Sequence, residues 1–242
     1  TIVTFLLILQ VLARSRNVAA VKVAEQAGFQ EVANLWAAAA GGAVPPAYPA
    51  LALGAFETTP LQVAAAYTVL ANGGVRMPLQ TITRVTDQEQ RIDVPADAPR
   101  RVAAADSAYL VTQMLVSVFG DGTGAAARSQ GFLHVASGKT GTTDDLRDAW
   151  FAGFTPSLLT VVWVGMDDGS ALGLTGAQAA LPMWSNFMRL ALAGRPPPVP
   201  VVARRRLYAA APRSYTHTHT HTLFLLIFYF LLFRLMLDKL RR

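Results

Sequence analysis

Between Leu133 and Met166 the hydrophobic pattern changes from a helical period to a period of two, and this change limits the possible folds more than any other feature. Leu133–Thr143, Asp148–Thr155 and Leu158–Met166 read as three consecutive strands, rich in Val, Trp and Phe, joined by turns at 143–147 and 156–157. They form an antiparallel meander. Helical patterns precede it: Ile2–Ala13, whose periodicity runs on through Val18, Val21, Val23 and Ala24, then Gln30–Ala40, Leu61–Ala71 and Ser107–Phe119. Thr58, Thr59 and Pro60 supply an N-cap and a first helical residue for the third, which stops at Asn72-Gly73-Gly74; Asp106 caps the fourth. Thr81–Val85 and Arg91–Val94 read as a surface hairpin, and Gly176–Leu192 as a closing helix stopped by Gly194 and three prolines. Helices, then a sheet, then one helix make the fold class α+β.

The apolar opening resembles a signal peptide only at first sight. No basic run precedes it and no small-residue cleavage site closes it, so it reads as a buried helix entered part-way along. A chain that opens there on Thr1 is expected to be a piece whose upstream part is missing.

The formal charge of +6 invites a polyanion partner, but its distribution does not. Eight of the 21 basic residues and one of the 15 acidic residues lie from Arg204 onward, which leaves residues 1–203 with 13 basic and 14 acidic groups. The globular part has no footprint for nucleic acid. We therefore divide the chain into a domain at 1–203 and a basic tail at 204–242. In the tail, Thr216–Thr222 alternates Thr and His, and the 15 residues Leu223–Leu237 are almost wholly apolar. Three readings fit. The histidines could share a metal-binding face, although a low-complexity repeat explains them more simply. The apolar run is shorter than the roughly 20 residues of a membrane helix but suits an interfacial anchor. Thr-His repeats also arise from a repeated adenine-cytosine dinucleotide, so the tail could be read in a non-native frame. With no cysteine, the chain has no disulfide scaffold and no thiol chemistry.

The chemistry lies in Ser137-Gly138-Lys139-Thr140-Gly141-Thr142-Thr143, which sets one cation and several hydroxyls on a strand beside small residues that let a ligand backbone approach. A phosphate loop would need another glycine at position 133, where Leu stands. A lone Lys-Thr-Gly is a weak signal, but Ser15-Arg16-Asn17, far upstream, adds a second hydroxyl and an amide.

Together these residues resemble the transpeptidase domain of the class A, bifunctional penicillin-binding proteins. The similarity spans about residues 10–195. Ala13–Val21 is similar to the family's Ser-x-Asn motif and the helix that follows it, and Leu51–Gly74 to a further block. Gly122-Thr123-Gly124, Gly138–Thr143, Arg147–Phe154 and Trp163-Val164-Gly165 complete the pattern. The resemblance implies a penicillin-binding/serine β-lactamase-like fold with a five-stranded antiparallel sheet, incomplete at the N-terminus. It implies acyl transfer from D-Ala-D-Ala stem peptides of peptidoglycan, β-lactam binding, and a place in the bacterial cell envelope, with a membrane anchor further upstream. It implies no metal and no cofactor. Ser15, Asn17 and Lys139 take the catalytic positions. Lys139 would pair with Ser15 beside the pocket, and Asn17 would orient the substrate amide. Thr140 and Thr142, on one face of the strand, would bind the terminal carboxylate; Gly141 would keep that face open, and the Thr142 N–H would face the oxyanion.

The family's nucleophile belongs to Ser-x-x-Lys, and none of the nine serines has Lys three positions on. The chain as given is therefore expected to form no acyl-enzyme. The alternative is a binding module that recognises such peptides or β-lactams without reacting. Beside these roles stand plainer ones. Ser15 could merely cap the next helix. Asp148 and Trp150 read as a turn carboxylate and a core aromatic, the pairs Asp144/Asp145 and Asp167/Asp168 as solvated turns, and His134 as a satisfied core residue.

Overall fold

A computed structural model of the chain describes residues 10–88, 90–92 and 97–195. Most of the first apolar stretch, the Thr-His repeat and the apolar run of the tail lie outside these residues. Residues 10–13 are helical and are followed by helices α1, Asn17–Ala27, and α2, Phe29–Trp36, the latter ending in a π-helical turn at Ala37–Gly41. The expected run of one helix through Ser15 is interrupted. The Arg16 amide bonds back to the Val11 carbonyl and the Ser15 amide to the Leu12 carbonyl, a Schellman stop that an apolar period cannot reveal.

Helix α3, Pro60–Ala71, begins where the sequence puts it. Thr59 Oγ1 accepts from the Gln62 amide while Gln62 Oε1 accepts from the Thr59 amide, a reciprocal cap followed by Pro60 at the first helical position. Short strands β1, Val75–Arg76, and β4, Arg100–Arg101, pair with each other, and β2, Val85–Asp87, with β3, Gln90–Ile92. Helix α4, Ala105–Val116, has Ala104 rather than Asp106 at its cap. Asp106 sits in the first turn, where a carboxylate favours the helix N-terminus, and its Oδ1 accepts from the Ser107 amide. A 3-10 turn at Ser117–Phe119 and the short helix α5, Ala126–Ser129, lead to the meander.

The meander is β5, Ser137–Thr142, β6, Ala149–Phe154, and β7, Leu159–Val164, all antiparallel with β6 in the centre. Lys139 lies opposite Ala152, and Gly141 opposite Trp150. Among the described residues this sheet has three strands, where the resemblance implies five in the whole fold, and β1 and β4 pair as a separate two-residue ribbon. Helix α6, Ala180–Ala191, starts four residues later than expected, after a turn in which Gln178 Oε1 accepts from both the amide and the hydroxyl of Thr175.

The period of two sorts the sheet residues between two cores. Ala152, Phe154, Leu159 and Val161 face the core built by α1 to α4. Phe151, Val162 and Val164 face a second core, where Trp184 of α6 is wholly buried against Phe119, Phe132 and Phe151, with ring centroids 4.8–5.5 Å from its own. The Trp184 indole N–H donates to the Thr160 carbonyl at 3.1 Å, so the closing helix is tied to β7 as well as packed on the sheet. Both faces of β6 are covered. That is why its sequence is apolar almost without alternation.

Candidate active site

Lys139 and Ser15 stand 124 positions apart in sequence and meet in space, with Lys139 Nζ donating to Ser15 Oγ at 2.9 Å. Lys139 comes from β5, and Ser15 from the stop between residues 10–13 and α1. Ser15 has φ 53°, in the left-handed region, and its hydroxyl accepts from Lys139. The N-cap of α1 is Arg16, and no side chain caps the helix, so Ser15 is not a cap. Asn17 is the first residue of α1 and its side chain is exposed.

Lys139 is only 6% exposed, and its ammonium meets neutral acceptors: Ser15 Oγ and, at 3.0 Å, the Thr140 carbonyl. Among the described residues no carboxylate pairs with it. Removal from water penalises the charged form and lowers the Lys139 pKa from 10.5 to about 8. A buried cation without a counter-charge is costly on its own and gains strongly from an incoming anion.

Two hydroxyls flank that cation. Thr140 Oγ1 lies 3.5 Å from Lys139 Nζ and 2.7 Å from the Thr123 hydroxyl. Thr142 Oγ1 accepts from the backbone N–H of Gly176 at 3.0 Å. With a lone pair occupied from behind, the Thr142 hydroxyl keeps its one hydrogen for a ligand. Gly141 does not leave an empty face. A Cβ at this position would stand 3.0 Å from the Trp150 Cβ, so Trp150 fills the space.

Gly176 comes closer still to its neighbours. A Cβ there would lie 2.3 Å from the Gly141 carbonyl oxygen and 2.5 Å from that of Trp150, both well inside contact distance. We expect Gly176→Ala to push this segment off β5, to cost about 2 kcal/mol by overpacking, and to free the Thr142 hydroxyl. Thermal unfolding together with the Thr142 resonances would check this, and an unchanged melting temperature would contradict it.

The plainer roles are also visible. Asp148 accepts from the Thr143 hydroxyl and, at 2.8 Å, from the Trp163 indole, so it fastens the β5–β6 turn. Trp150 is half-buried against Trp163, with ring centroids 6.1 Å apart. Asp144, Asp145, Asp167 and Asp168 are exposed, and His134 is half-buried beside the Phe132 ring. Asp168 accepts from Ser170, which holds its carboxyl below the usual range. Among the described residues no cluster of three or more His, Asp or Glu could hold a metal, and no helix is long and apolar enough to cross a membrane. Sequence reasoning gave no role to Thr123 and missed Gly176. The Gly122-Thr123-Gly124 signature was the available signal for the first; the second depends on a contact across 34 positions.

The matching family model is that of the penicillin binding protein transpeptidase domain, over residues 6–188. Penicillin-binding protein 1A of Neisseria lactamica is 39% identical over 155 residues, which cover 60% of this chain and 19% of that protein. Penicillin-binding protein 1A of Aquifex aeolicus is 37% identical over 183 residues, covering 74% and 25%. The chain thus spans about a fifth to a quarter of the length of these curated relatives. The crystal structure of penicillin-binding protein 1A from Haemophilus influenzae superposes with a TM-score of 0.70 at 27% identity, over 79% of this chain and 35% of that one. The D,D-transpeptidase domain of a peptidoglycan glycosyltransferase from Eggerthella lenta, at 22% identity and a TM-score of 0.54, shares the fold over 76% of this chain and 54% of its own. The matched span holds the Ser15 turn, β5 with Lys139, and both cores, and on this ground the chain belongs to the penicillin-binding protein transpeptidase domain family.

Proposed function

We propose that this chain forms the carboxylate-recognising part of a peptidoglycan D,D-transpeptidase site, which takes stem peptides ending in D-Ala-D-Ala and, in their place, β-lactams. The observation that carries this reading is the buried Lys139 ammonium, which has no counter-charge among the described residues and lies between the hydroxyls of Ser15 and Thr140. A peptide carboxylate supplies the missing charge, and Thr140 and Thr142 donate to it. β5 pairs with β6 alone among the described residues, so its other edge is free to take an extended peptide by strand addition. Asn17 holds the substrate amide. The Thr142 N–H donates to the tetrahedral oxyanion, an interaction worth about 3 kcal/mol in comparable sites.

In the complete reaction a serine attacks the carbonyl between the two D-alanines. The tetrahedral intermediate collapses to an ester and releases D-alanine, and an amine of a neighbouring stem takes the acyl group. With water as acceptor the same site is a carboxypeptidase. Lys139, with a pKa of about 8, keeps Ser15 within a short proton path to the departing amine. The setting is the bacterial envelope, on the outer side of the cytoplasmic membrane, where this substrate lies.

A second reading is favoured by one fact: the three lysines follow Ala19, Ala136 and Met236 at the position where Ser-x-x-Lys needs serine. The 242-residue chain then binds without acylating. Incubation with a fluorescent penicillin followed by denaturing electrophoresis should give no labelled band. A D-Ala-D-Ala peptide should nevertheless shift the amide resonances of Ser15, Lys139 and Thr140. A labelled band would overturn the non-acylating reading, and a peptide that leaves those resonances unmoved would overturn the proposed site.

A further inference from the structure

We infer that Trp150 limits the side chain that the terminal residue of a bound peptide can carry: it admits the methyl group of D-alanine and excludes a larger one. This rests on the carboxylate-binding role proposed above for Lys139 and Thr142.

The strand register places Trp150 for this task. Gly141 pairs with Trp150, Trp150 with Trp163, and Lys139 with Ala152. Alternation along each strand then puts Lys139, Gly141, Trp150 and Trp163 on one face of the sheet. Gly141 also lies between Lys139 and Thr142 along β5, two of the groups that hold the carboxylate. The peptide residue that carries this carboxylate therefore stands level with Gly141.

Strands lie about 4.8 Å apart, so a peptide added on the other edge of β5 would run roughly 10 Å from β6. A side chain at position 141 would ordinarily fill the space between them. Glycine leaves that space to β6: the Cβ, Cγ and Cδ1 atoms of Trp150 lie 3.0, 3.6 and 3.8 Å from where a Cβ of residue 141 would stand. A terminal side chain directed over β5 on this face meets the indole.

Trp150 is blocked from swinging toward β7. Trp163 stands there, its ring centroid 6.1 Å from that of Trp150 and its plane inclined by 44°. Trp163 is itself fixed, since its indole N–H donates to Asp148 Oδ1 at 2.8 Å and the Asp148 amide donates to Thr143 Oγ1 at 2.8 Å. Its ring also lies so near Gly165 that a Cβ there would stand 2.5 Å from Trp163 Cζ2. A wall held in this way rejects a bulky group by overpacking instead of yielding to it. Core packing does not account for the pair. Neither tryptophan belongs to the two cores, Trp150 is half-buried, and Trp163 is 41% exposed.

The test uses the 242-residue chain and short peptides identical except at the C-terminus, which is D-Ala-Gly, D-Ala-D-Ala, D-Ala-D-Leu or the amide of D-Ala-D-Ala. Dissociation constants come from NMR titration of wild type, Trp150→Ala and Trp163→Phe. Wild type should bind the D-Ala acid about fourfold more tightly than the Gly acid, the gain from one buried methyl group, and about tenfold more tightly than the D-Leu acid. Trp150→Ala should bind the D-Leu and D-Ala acids within about twofold of each other and keep the wild-type preference for acid over amide. Trp163→Phe retains a ring but loses the bond to Asp148, and its discrimination against D-Leu should fall between the two.

Trp150→Ala that weakens all the acids alike would make Trp150 merely structural and overturn the inference. A wild type that binds the D-Leu acid as well as the D-Ala acid would also overturn it. Acid preferred over amide, with the size preference unaltered in Trp150→Ala, defeats this inference alone. A wild type that does not distinguish acid from amide defeats the carboxylate reading and this inference with it. If Trp150→Ala does not fold, Trp150→Leu is measured in its place and must narrow the D-Ala over D-Leu ratio about fivefold.

Discussion

Lys139→Met is expected to make the chain more stable at pH 7 and to abolish its preference for a peptide carboxylate. The side chain is almost fully buried, its charge is unpaired among the described residues, and burial lowers its pKa to about 8. Below pH 8 the ammonium is protonated in both folded and unfolded chains, so folding bears the whole cost of desolvating it. Between pH 8 and 10.5 the unfolded chain binds more protons than the folded one, and stability rises with pH through that window. Methionine matches the stem and removes the charge, which should add about 2 kcal/mol at pH 7 and flatten the rise. Urea unfolding of both proteins at pH 7 and pH 10 is the measurement; a destabilised Lys139→Met with an unchanged pH slope would refute the argument. Carboxylate binding has the opposite dependence. It needs the protonated amine, so affinity for a D-Ala-D-Ala peptide should fall as the pH passes 8.

Trp184→Ala should have the largest effect on folding. Trp184 is wholly buried, packs on three phenylalanine rings and donates to the Thr160 carbonyl. Removing it leaves a cavity and takes one of its donors from the Thr160 carbonyl, a loss of about 4 kcal/mol, comparable to much of the stability of a small domain. Because the same rings support Phe151, which lies opposite Thr140, the damage should reach β5. Loss of near-ultraviolet ellipticity together with loss of peptide binding is expected. Trp184→Phe should recover most of the packing but not the indole hydrogen bond. A Trp184→Ala protein that unfolds at the wild-type temperature would show that the second core contributes little.

Much of this organisation can be read from residue patterns, for identifiable reasons. The meander shows because period-two alternation and short turns are local, and the start of α3 shows because its cap lies within four residues, Thr59 to Gln62. Lys139 and Ser15 stand out through motif chemistry although 124 positions separate them. The interruption at Ser15 was hidden, since apolar residues continue in phase on both sides of a helix stop. Trp150 closing the face beside Gly141, and Gly176 reaching Thr142, depend on how distant segments meet. Thr123 belonged to a visible signature, but its contact with Thr140 depends on how its loop meets β5.

The Schellman stop at Ser15 separates conformation from chemistry at a single residue. Its left-handed backbone is one that glycine or asparagine would adopt more comfortably, so serine at that place gives up some local ease in return for an oxygen near Lys139. Ser15→Gly and Ser15→Ala should therefore diverge: the first relaxes the bend, the second retains it, and both lose the hydroxyl. Whatever the two variants share in behaviour belongs to that oxygen, and whatever divides them belongs to the curvature of the chain.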